Sequence, residues 1–122
     1  MNKIRVITLG LVATGVLAWA LPATAHRTAA KATVVTVTAG KPSEFRFTLS
    51  TKTVKHGTVI FKVTGQGALP HNFKINGKTT HLLSQGGSQS LTVTFAKAGK
   101  YPYQCTVTGH AAAGMKGTLT VT

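Results

Sequence analysis

Apolar and polar residues alternate with a period of two along most of the chain, and this alternation most restricts the possible folds. Such alternation in runs rich in β-branched and aromatic residues is typical of strands that bury one face. Seven runs show it: Val34–Val37, Phe45–Leu49, Thr58–Val63, Phe73–Ile75, Leu91–Phe95, Tyr101–Cys105 and Thr118–Val121. Turn-forming pairs such as Asn76-Gly77 separate the runs, and no stretch has convincing helical periodicity. The sequence therefore predicts an all-β fold, an antiparallel β-sandwich.

The N-terminal segment has the features of an export signal. Lys3 and Arg5 precede an apolar run from Val6 to Leu21, and Ala23-Thr24-Ala25 is a small-x-small cleavage site. The apolar run is shorter than the roughly 20 residues that a membrane span needs. We therefore predict a signal peptide over 1–25, a short flexible lead over 26–32 and one domain over 33–122. The mature protein would be periplasmic or extracellular, and a retained N-terminal anchor is the alternative.

The charge of the chain is strongly one-sided. The chain has fourteen basic residues and a single acidic residue, Glu44, so its formal net charge is +13. Loss of Lys3 and Arg5 with the signal peptide would leave +11 on the mature chain. This charge favours an acidic protein partner or an anionic membrane or cell-wall surface. Nucleic acid is not predicted, because the basic residues are scattered singly and no aromatic platform accompanies them.

Apart from the initiator methionine, both sulfur-containing side chains lie in one loop near the C-terminus. Cys105 is the only cysteine, and Met115 is the only methionine besides the initiator. His110 lies midway between them. A lone cysteine in an exported protein is either buried and inert, paired with another chain, or bound to a metal. Thiolate, thioether and imidazole together select copper over magnesium, calcium or manganese.

A trigonal copper site needs a second imidazole from elsewhere in the fold. His71, in the segment Leu69-Pro70-His71-Asn72-Phe73 at the start of another strand, offers one. Two imidazoles and a thiolate in one plane, with a weak axial thioether, form an electron-transfer copper site. The small residues between Cys105 and Met115 would allow the loop to pack closely.

The ordered set His71-Asn72, then Cys105-x4-His110-x4-Met115, resembles the cupredoxins, the blue copper proteins of the plastocyanin and azurin family. A Tyr-x-Cys strand before the loop and a Thr-Leu-Thr-Val strand after it extend the resemblance to about residues 32–122. The resemblance implies a Greek-key sandwich of seven to eight strands that holds one type 1 copper ion.

The same resemblance implies a role for each of these residues. His71, Cys105 and His110 would be the equatorial copper ligands and Met115 the axial ligand. Asn72 would tie the two ligand-bearing loops together near the sulfur. The chain departs from many relatives at Thr108, where they have proline before the Gly-His pair. This departure bears on the stiffness of the loop rather than on ligation.

The function that the resemblance implies is that of a small exported electron carrier, not an enzyme. It would act as a monomer, by cycling copper between Cu(II) and Cu(I), with His110 as the electron port at an apolar patch. The main alternative is a protein that sequesters or delivers copper with the same ligands. An enzyme with Cys105 as nucleophile is a third possibility, but a strand-end cysteine gives no reason to expect an activated thiolate.

The other histidines have weaker cases for a metal. His56 lies in a polar turn and His81 in a loop, so both are predicted to be structural or solvated. His26 would become the mature N-terminus after cleavage, where an amino group and an imidazole can chelate copper together. Such a residue is more often part of a frayed end.

Overall fold

The computed structural model describes residues 10, 15, 20, 23–25 and 28–122. Most of the predicted signal peptide, and His26, lie outside the described residues. None of the described residues belongs to a helix long and apolar enough to cross a membrane. The strands are β1 (Thr33–Ala39), β2 (Phe47–Leu49), β3 (Thr53–Val54), β4 (Gly57–Gly65), β5 (Lys74–Ile75), β6 (Lys78–Thr79), β7 (Ser88–Phe95), β8 (Gly99–Gln104) and β9 (Lys116–Val121).

These strands form two sheets, so the predicted all-β sandwich is confirmed. One sheet has the order β2-β1-β4-β7 and the other the order β3-β9-β8-β5-β6. Alternate residues of β4 and β7 are buried, as their period-two pattern predicts. The buried faces of the two sheets supply one main hydrophobic cluster.

Aromatic rings join the two sheets in the core. Phe61 of β4 lies 5.3 Å, between ring centroids, from Phe73, which precedes β5 in the other sheet. Phe73 in turn lies 5.4 Å from Tyr103 of β8 and 5.3 Å from Phe47 of β2. Tilted and edge-on contacts of this kind add to the stabilisation from burial. These contacts hold the start of β5 and the end of β8, in the second sheet, against the first sheet.

The strictly antiparallel arrangement is wrong for two strand pairs. β1 pairs with β4 in parallel, and β3 pairs with β9 in parallel. The chain leaves the first sheet after β2, forms β3 in the second sheet, and returns as β4 in the direction of β1. Alternation along a strand reveals which face is buried, but it carries no information about the direction of the neighbouring strand.

The structure also has more strands than predicted. The two strands that the sequence analysis missed, β3 and β6, have only two residues each. Such short strands show no periodicity. The turn at Asn76-Gly77 is confirmed, since both residues have positive φ, 47° and 74°. This two-residue turn joins β5 and β6, and positive φ at both central positions is typical of tight hairpins.

Candidate metal centre

The strand register brings two loops together at one end of the sandwich. Lys74 of β5 pairs with Gln104 of β8, so the residues that precede β5 lie beside those that follow β8. His71 lies three residues before Lys74, and its backbone exchanges two hydrogen bonds with Leu83. Cys105 follows β8 directly. The second sheet therefore positions both loops, although they are 34 residues apart at the contact between Asn72 and Thr106.

The side chains of His71, Cys105 and His110 converge in this region. Their ligand atoms all lie within 4.8 Å of one another. The two Nδ1 atoms of His71 and His110 are 3.1 Å apart, and Nδ1 of His110 is 3.6 Å from Sγ of Cys105. All three residues are buried: His71 is 0% exposed, Cys105 is 1% exposed and His110 is 8% exposed. Among the described residues this is the one such group of potential metal ligands.

Backbone hydrogen bonds close the loop between β8 and β9. The amide of Cys105 donates to the carbonyl of Met115 at 3.0 Å, and the amide of Met115 donates to the carbonyl of His110 at 3.0 Å. The amide of His110 donates to the carbonyl of Val107, also at 3.0 Å. These bonds pair the loop with itself and so hold the backbone of Cys105, His110 and Met115 in place.

Met115 lies in the same buried cluster as Cys105. It is fully buried and packs with Cys105 and Ala39, and Phe45 and Val107 pack against this cluster. A thioether in this position is a soft, weak donor beside the thiolate. The structure therefore brings all four sequence-predicted ligand residues to one end of the sandwich.

Asn72 joins the two ligand-bearing loops. Its Nδ2 donates to the hydroxyl of Thr106 at 2.6 Å, and the amide of Thr106 donates to its Oδ1 at 2.7 Å. Thr106 directly follows Cys105, so this reciprocal pair holds the segment that carries the thiol. Asn72 therefore connects the segment of His71 to that of Cys105, and its role beside a copper ion stays a prediction.

Glu44 is a residue of this site that the sequence analysis did not predict. Its Oε1 lies 2.8 Å from Nε2 of His71. The backbone amides of Leu69 and Ala68 donate to its two carboxylate oxygens, each at 2.9 Å. These bonds, first that of Leu69 and then that of Ala68, lower the pKa of the Glu44 carboxyl below its usual value. The carboxylate is therefore ionised near neutral pH.

The pKa of His110 is lowered as well. Burial is the main cause, and the neighbouring His71 adds to it, whereas Glu44 acts in the opposite direction. A lowered pKa keeps the imidazole neutral near neutral pH. A neutral imidazole has one nitrogen lone pair available to bind a metal.

The donor set and its geometry fit copper. If Nε2 of His71 carries the hydrogen that bonds Glu44, its Nδ1 presents a lone pair toward Nδ1 of His110 and Sγ of Cys105. Buried lone pairs that face each other repel unless a proton or a metal ion lies between them. Two imidazole nitrogens, a thiol sulfur and a buried thioether are the donors of a type 1 copper site.

The remaining described histidines lie outside this group. Both His56 and His81 are exposed. Nδ1 of His56 lies 3.1 Å from the carbonyl oxygen of Thr122. Neither residue belongs to the group of potential metal ligands in the described part of the chain. His26 lies outside the described residues, so its predicted chelating role stays a prediction.

The pKa shifts at this site predict a modest acid sensitivity for the metal-free chain. Because the pKa of Glu44 is lowered in the folded chain, its ionised carboxylate stabilises the fold at pH values above the unfolded pKa of about 4.3. This stabilisation is lost as the pH falls through the lower pKa of the folded chain. The lowered pKa of His110 adds a second loss of stability, which begins below about pH 6.5. In this range the histidine binds a proton in the unfolded chain but stays neutral in the folded chain.

With one carboxylate in the chain, we expect a fall in Tm of about 10 °C or less between pH 7 and pH 3. Thermal unfolding followed by circular dichroism at both pH values checks this. An unfolded chain at pH 3 and room temperature would contradict it.

Sequence and structure comparisons agree with this geometry. Residues 31–122 match the family of copper binding proteins described as the plastocyanin/azurin family. A segment is similar to auracyanin-B of Chloroflexus aurantiacus, with 54% identity over 43 residues, which are 35% of this chain and 18% of that protein. The chain thus spans less than one fifth of this relative's length in that match.

Two solved structures have a similar fold. Auracyanin from Roseiflexus castenholzii has a TM-score of 0.57 and 26% identity, over 75% of this chain and 98% of that chain. Rusticyanin from Thiobacillus ferrooxidans has a TM-score of 0.62 and 24% identity, over 73% of this chain and 76% of that chain. The rusticyanin match bears on the fold alone.

A β-sandwich of this kind, with two imidazoles and a thiol gathered at one end, defines the class of blue copper proteins, the cupredoxins. The chain belongs to the plastocyanin/azurin family of copper-binding proteins, and its cofactor is copper.

Proposed function

We propose that this chain is an exported electron carrier whose copper is held by His71, Cys105 and His110, with Met115 as the axial ligand. The observation that carries the proposal is the convergence of three buried ligand atoms within 4.8 Å. When bound, copper supplies one-electron chemistry through its Cu(II) and Cu(I) states. An electron carrier of this kind transforms no substrate, so the proposed function is not that of an enzyme.

The rigid frame supports electron transfer. Cu(II) and Cu(I) prefer different geometries, so a site that moves little between them lowers the cost of each electron step. Paired strands, the self-bonded loop and the Asn72–Thr106 bonds restrict movement of the proposed ligands. Because both proposed ligand imidazoles are at least nine-tenths buried, the site suits a resident cofactor better than copper delivery.

We propose that electrons enter and leave through the His110 side of the site. His110 is 8% exposed, whereas His71 is 0% exposed, so His110 is the less completely buried of the two imidazole residues. Apolar residues close to His71 and His110 in the sequence are exposed: Leu69 is 45% exposed, and Pro70, Ala112 and Ala113 are also exposed. An apolar surface of this kind lets a partner approach without trapping water between the two redox centres.

Positive charge beside this apolar surface favours an anionic partner. Nη1 of Arg46 donates to the carbonyl of Ala113 at 3.2 Å, and exposed Lys116 follows Met115. Long-range attraction raises association rates and weakens as salt rises. We therefore propose a redox partner with an acidic docking surface for a monomeric carrier. The same charge would draw the carrier to an anionic membrane or cell-wall surface.

Small inorganic oxidants and reductants test this proposal without a known partner. The copper-loaded chain should be oxidised by anionic hexacyanoferrate(III) at a rate that falls as salt is raised from low to physiological ionic strength. Reduction of the chain by cationic hexaammineruthenium(II) should become faster over the same range. Stopped-flow absorbance at the copper band measures both rates.

Two matched charge variants locate the effect. Arg46→Gln removes a charge beside the ligand loop, and Lys55→Gln removes one at the opposite end, where β3 and β9 end together. We expect the hexacyanoferrate rate at low salt to fall more in Arg46→Gln than in Lys55→Gln. Equal rates in both variants, or no salt dependence, would contradict docking at this end of the sandwich.

A further inference from the structure

We propose that Glu44, the only acidic residue of the chain, is a positioning residue that orients His71 for copper binding. It accepts the Nε2 hydrogen of His71 and so fixes the imidazole with Nδ1 facing Cys105 and His110. The inference rests on the ligand role proposed above for His71. Carboxylates that accept the second ring N–H of a metal-ligating histidine fix its tautomer and raise its basicity in other metal sites.

Three hydrogen-bond donors converge on the Glu44 carboxylate. Oε1 receives the amide of Leu69 at 2.9 Å and lies 2.8 Å from Nε2 of His71. Oε2 receives the amide of Ala68 at 2.9 Å. An ionised carboxylate only accepts hydrogen bonds, so it satisfies all three groups at once. The two amides hold the carboxylate in place, and the carboxylate in turn holds the imidazole.

The hydrogen bond determines which nitrogen of His71 can bind a metal. Because the carboxylate has no hydrogen to donate, Nε2 of His71 must carry the hydrogen. In a neutral imidazole the other nitrogen, Nδ1, then has the lone pair. This is the nitrogen that lies 3.1 Å from Nδ1 of His110. Without Glu44 the hydrogen could lie on either nitrogen, and the ring could rotate away from the site.

Two glycines near the contact between Glu44 and His71 leave no space for a side chain of their own. A Cβ atom on Gly67 would lie 2.5 Å from Oε1 of Glu44 and 2.6 Å from Nε2 of His71. Both distances are too short, so a side chain at this position would force Glu44 or His71 to shift. Gly40 packs against Gly67 in the same way, since its own Cβ would lie 2.5 Å from the Cα of Gly67. Two glycines therefore allow the segment of Glu44 to approach that of His71.

The negative charge of Glu44 has an effect of its own. Its side chain is 29% exposed, so water screens part of this charge. A nearby negative charge stabilises Cu(II) more than Cu(I), because Cu(II) has the higher charge. Glu44 should therefore lower the reduction potential of the copper site. It is the one acidic side chain that can do so in a chain with fourteen basic residues.

Two substitutions separate charge from orientation. Glu44→Gln removes the charge but keeps an oxygen that can accept the Nε2 hydrogen. We expect the preference for Cu(II) over Cu(I) to fall about tenfold, which raises the reduction potential by about 59 mV. Glu44→Ala removes the acceptor as well, and we expect the affinity for Cu(II) to fall by a further 10- to 100-fold, roughly the usual effect of losing such a partner. Ser43→Ala, at the adjacent exposed position, is the control and should change neither value.

The metal-free protein offers an independent measurement. Long-range ¹H–¹⁵N NMR spectra of the histidine side chains at pH 7 distinguish the two tautomers. The wild-type chain and Ser43→Ala should show His71 with its hydrogen on Nε2 alone. Glu44→Ala, and Gly67→Ala, which blocks the contact from the other side, should show a mixture of tautomers. The amide spectrum of each variant reports whether it is folded.

The outcomes separate this inference from the proposed function. A folded Glu44→Ala variant with the wild-type tautomer, copper affinity and potential would overturn the inference, even if the wild-type chain binds copper as proposed. A Glu44→Ala variant that fails to fold would leave the decision to the tautomer of His71 in the wild-type chain and in Gly67→Ala. A hydrogen on Nδ1 in the wild-type chain, or an unchanged tautomer in a folded Gly67→Ala variant, would overturn the inference. A wild-type chain that binds no copper would instead refute the ligand role, while the NMR spectra would still report the bond between Glu44 and His71.

Discussion

The Cys105→Ser variant mixed with Cu(II) is expected to lack the intense visible absorption that the wild-type chain develops. A copper thiolate absorbs strongly because charge moves from sulfur to Cu(II), and a serine hydroxyl is a hard, neutral donor that cannot replace it. Cys105 is buried in a small cluster with Ala39 and Met115, and the substitution barely changes the side-chain volume. The fold should therefore survive, and the loss should be confined to the copper band.

The measurement is the visible absorption spectrum of the mature chain titrated with Cu(II), followed by reduction. The wild-type band should disappear on reduction, and the spectrum of the variant should match that of metal-free protein at every step. His81→Ala, which changes an exposed histidine, is the control and should keep the full band. A strong, reducible band in Cys105→Ser would rule out thiolate ligation.

Replacement of His110 by alanine should have the second largest effect. It removes a proposed ligand that is only 8% exposed, and it opens a cavity beside Phe45, whose ring centroid lies 5.0 Å from that of His110. We expect a changed copper spectrum and electron exchange with hexacyanoferrate(III) at least about tenfold slower, which corresponds to an activation barrier about 1.4 kcal/mol higher.

Stopped-flow rates and spectra of copper-loaded His110→Ala and His56→Ala check this expectation. His56 is exposed, and its hydrogen-bond contact is with the last residue of the chain, Thr122. Its substitution should leave both the spectrum and the rate unchanged. An unchanged exchange rate in His110→Ala would exclude this histidine as the electron port.

The sequence allowed the fold class and the members of the site to be predicted, for separate physical reasons. Period-two alternation reports burial on one face of a strand, and the buried residues of β4 and β7 follow it. Cys105, His110 and Met115 are close in sequence, so any short loop keeps them close in space. His71 could be added because a trigonal copper site needs a second imidazole, and the resemblance to the cupredoxins then supported this residue.

Other features could not be predicted because they depend on contacts between distant parts of the chain. The parallel pairing of β1 with β4 follows from the path of the chain between the sheets. The contact between Glu44 and His71 requires a close approach of two loops that Gly67 allows. A single acid in a strongly basic chain was visible in the sequence, but nothing in its neighbourhood indicated a histidine 27 residues away.

A crystal structure of the mature chain loaded with copper tests the central claim most directly. We predict one copper ion bound by Nδ1 of His71, Nδ1 of His110 and Sγ of Cys105, with Met115 beside it. Anomalous scattering at the copper edge would identify the ion without reference to the protein. Copper bound elsewhere, with the thiol of Cys105 free of metal, would contradict the account.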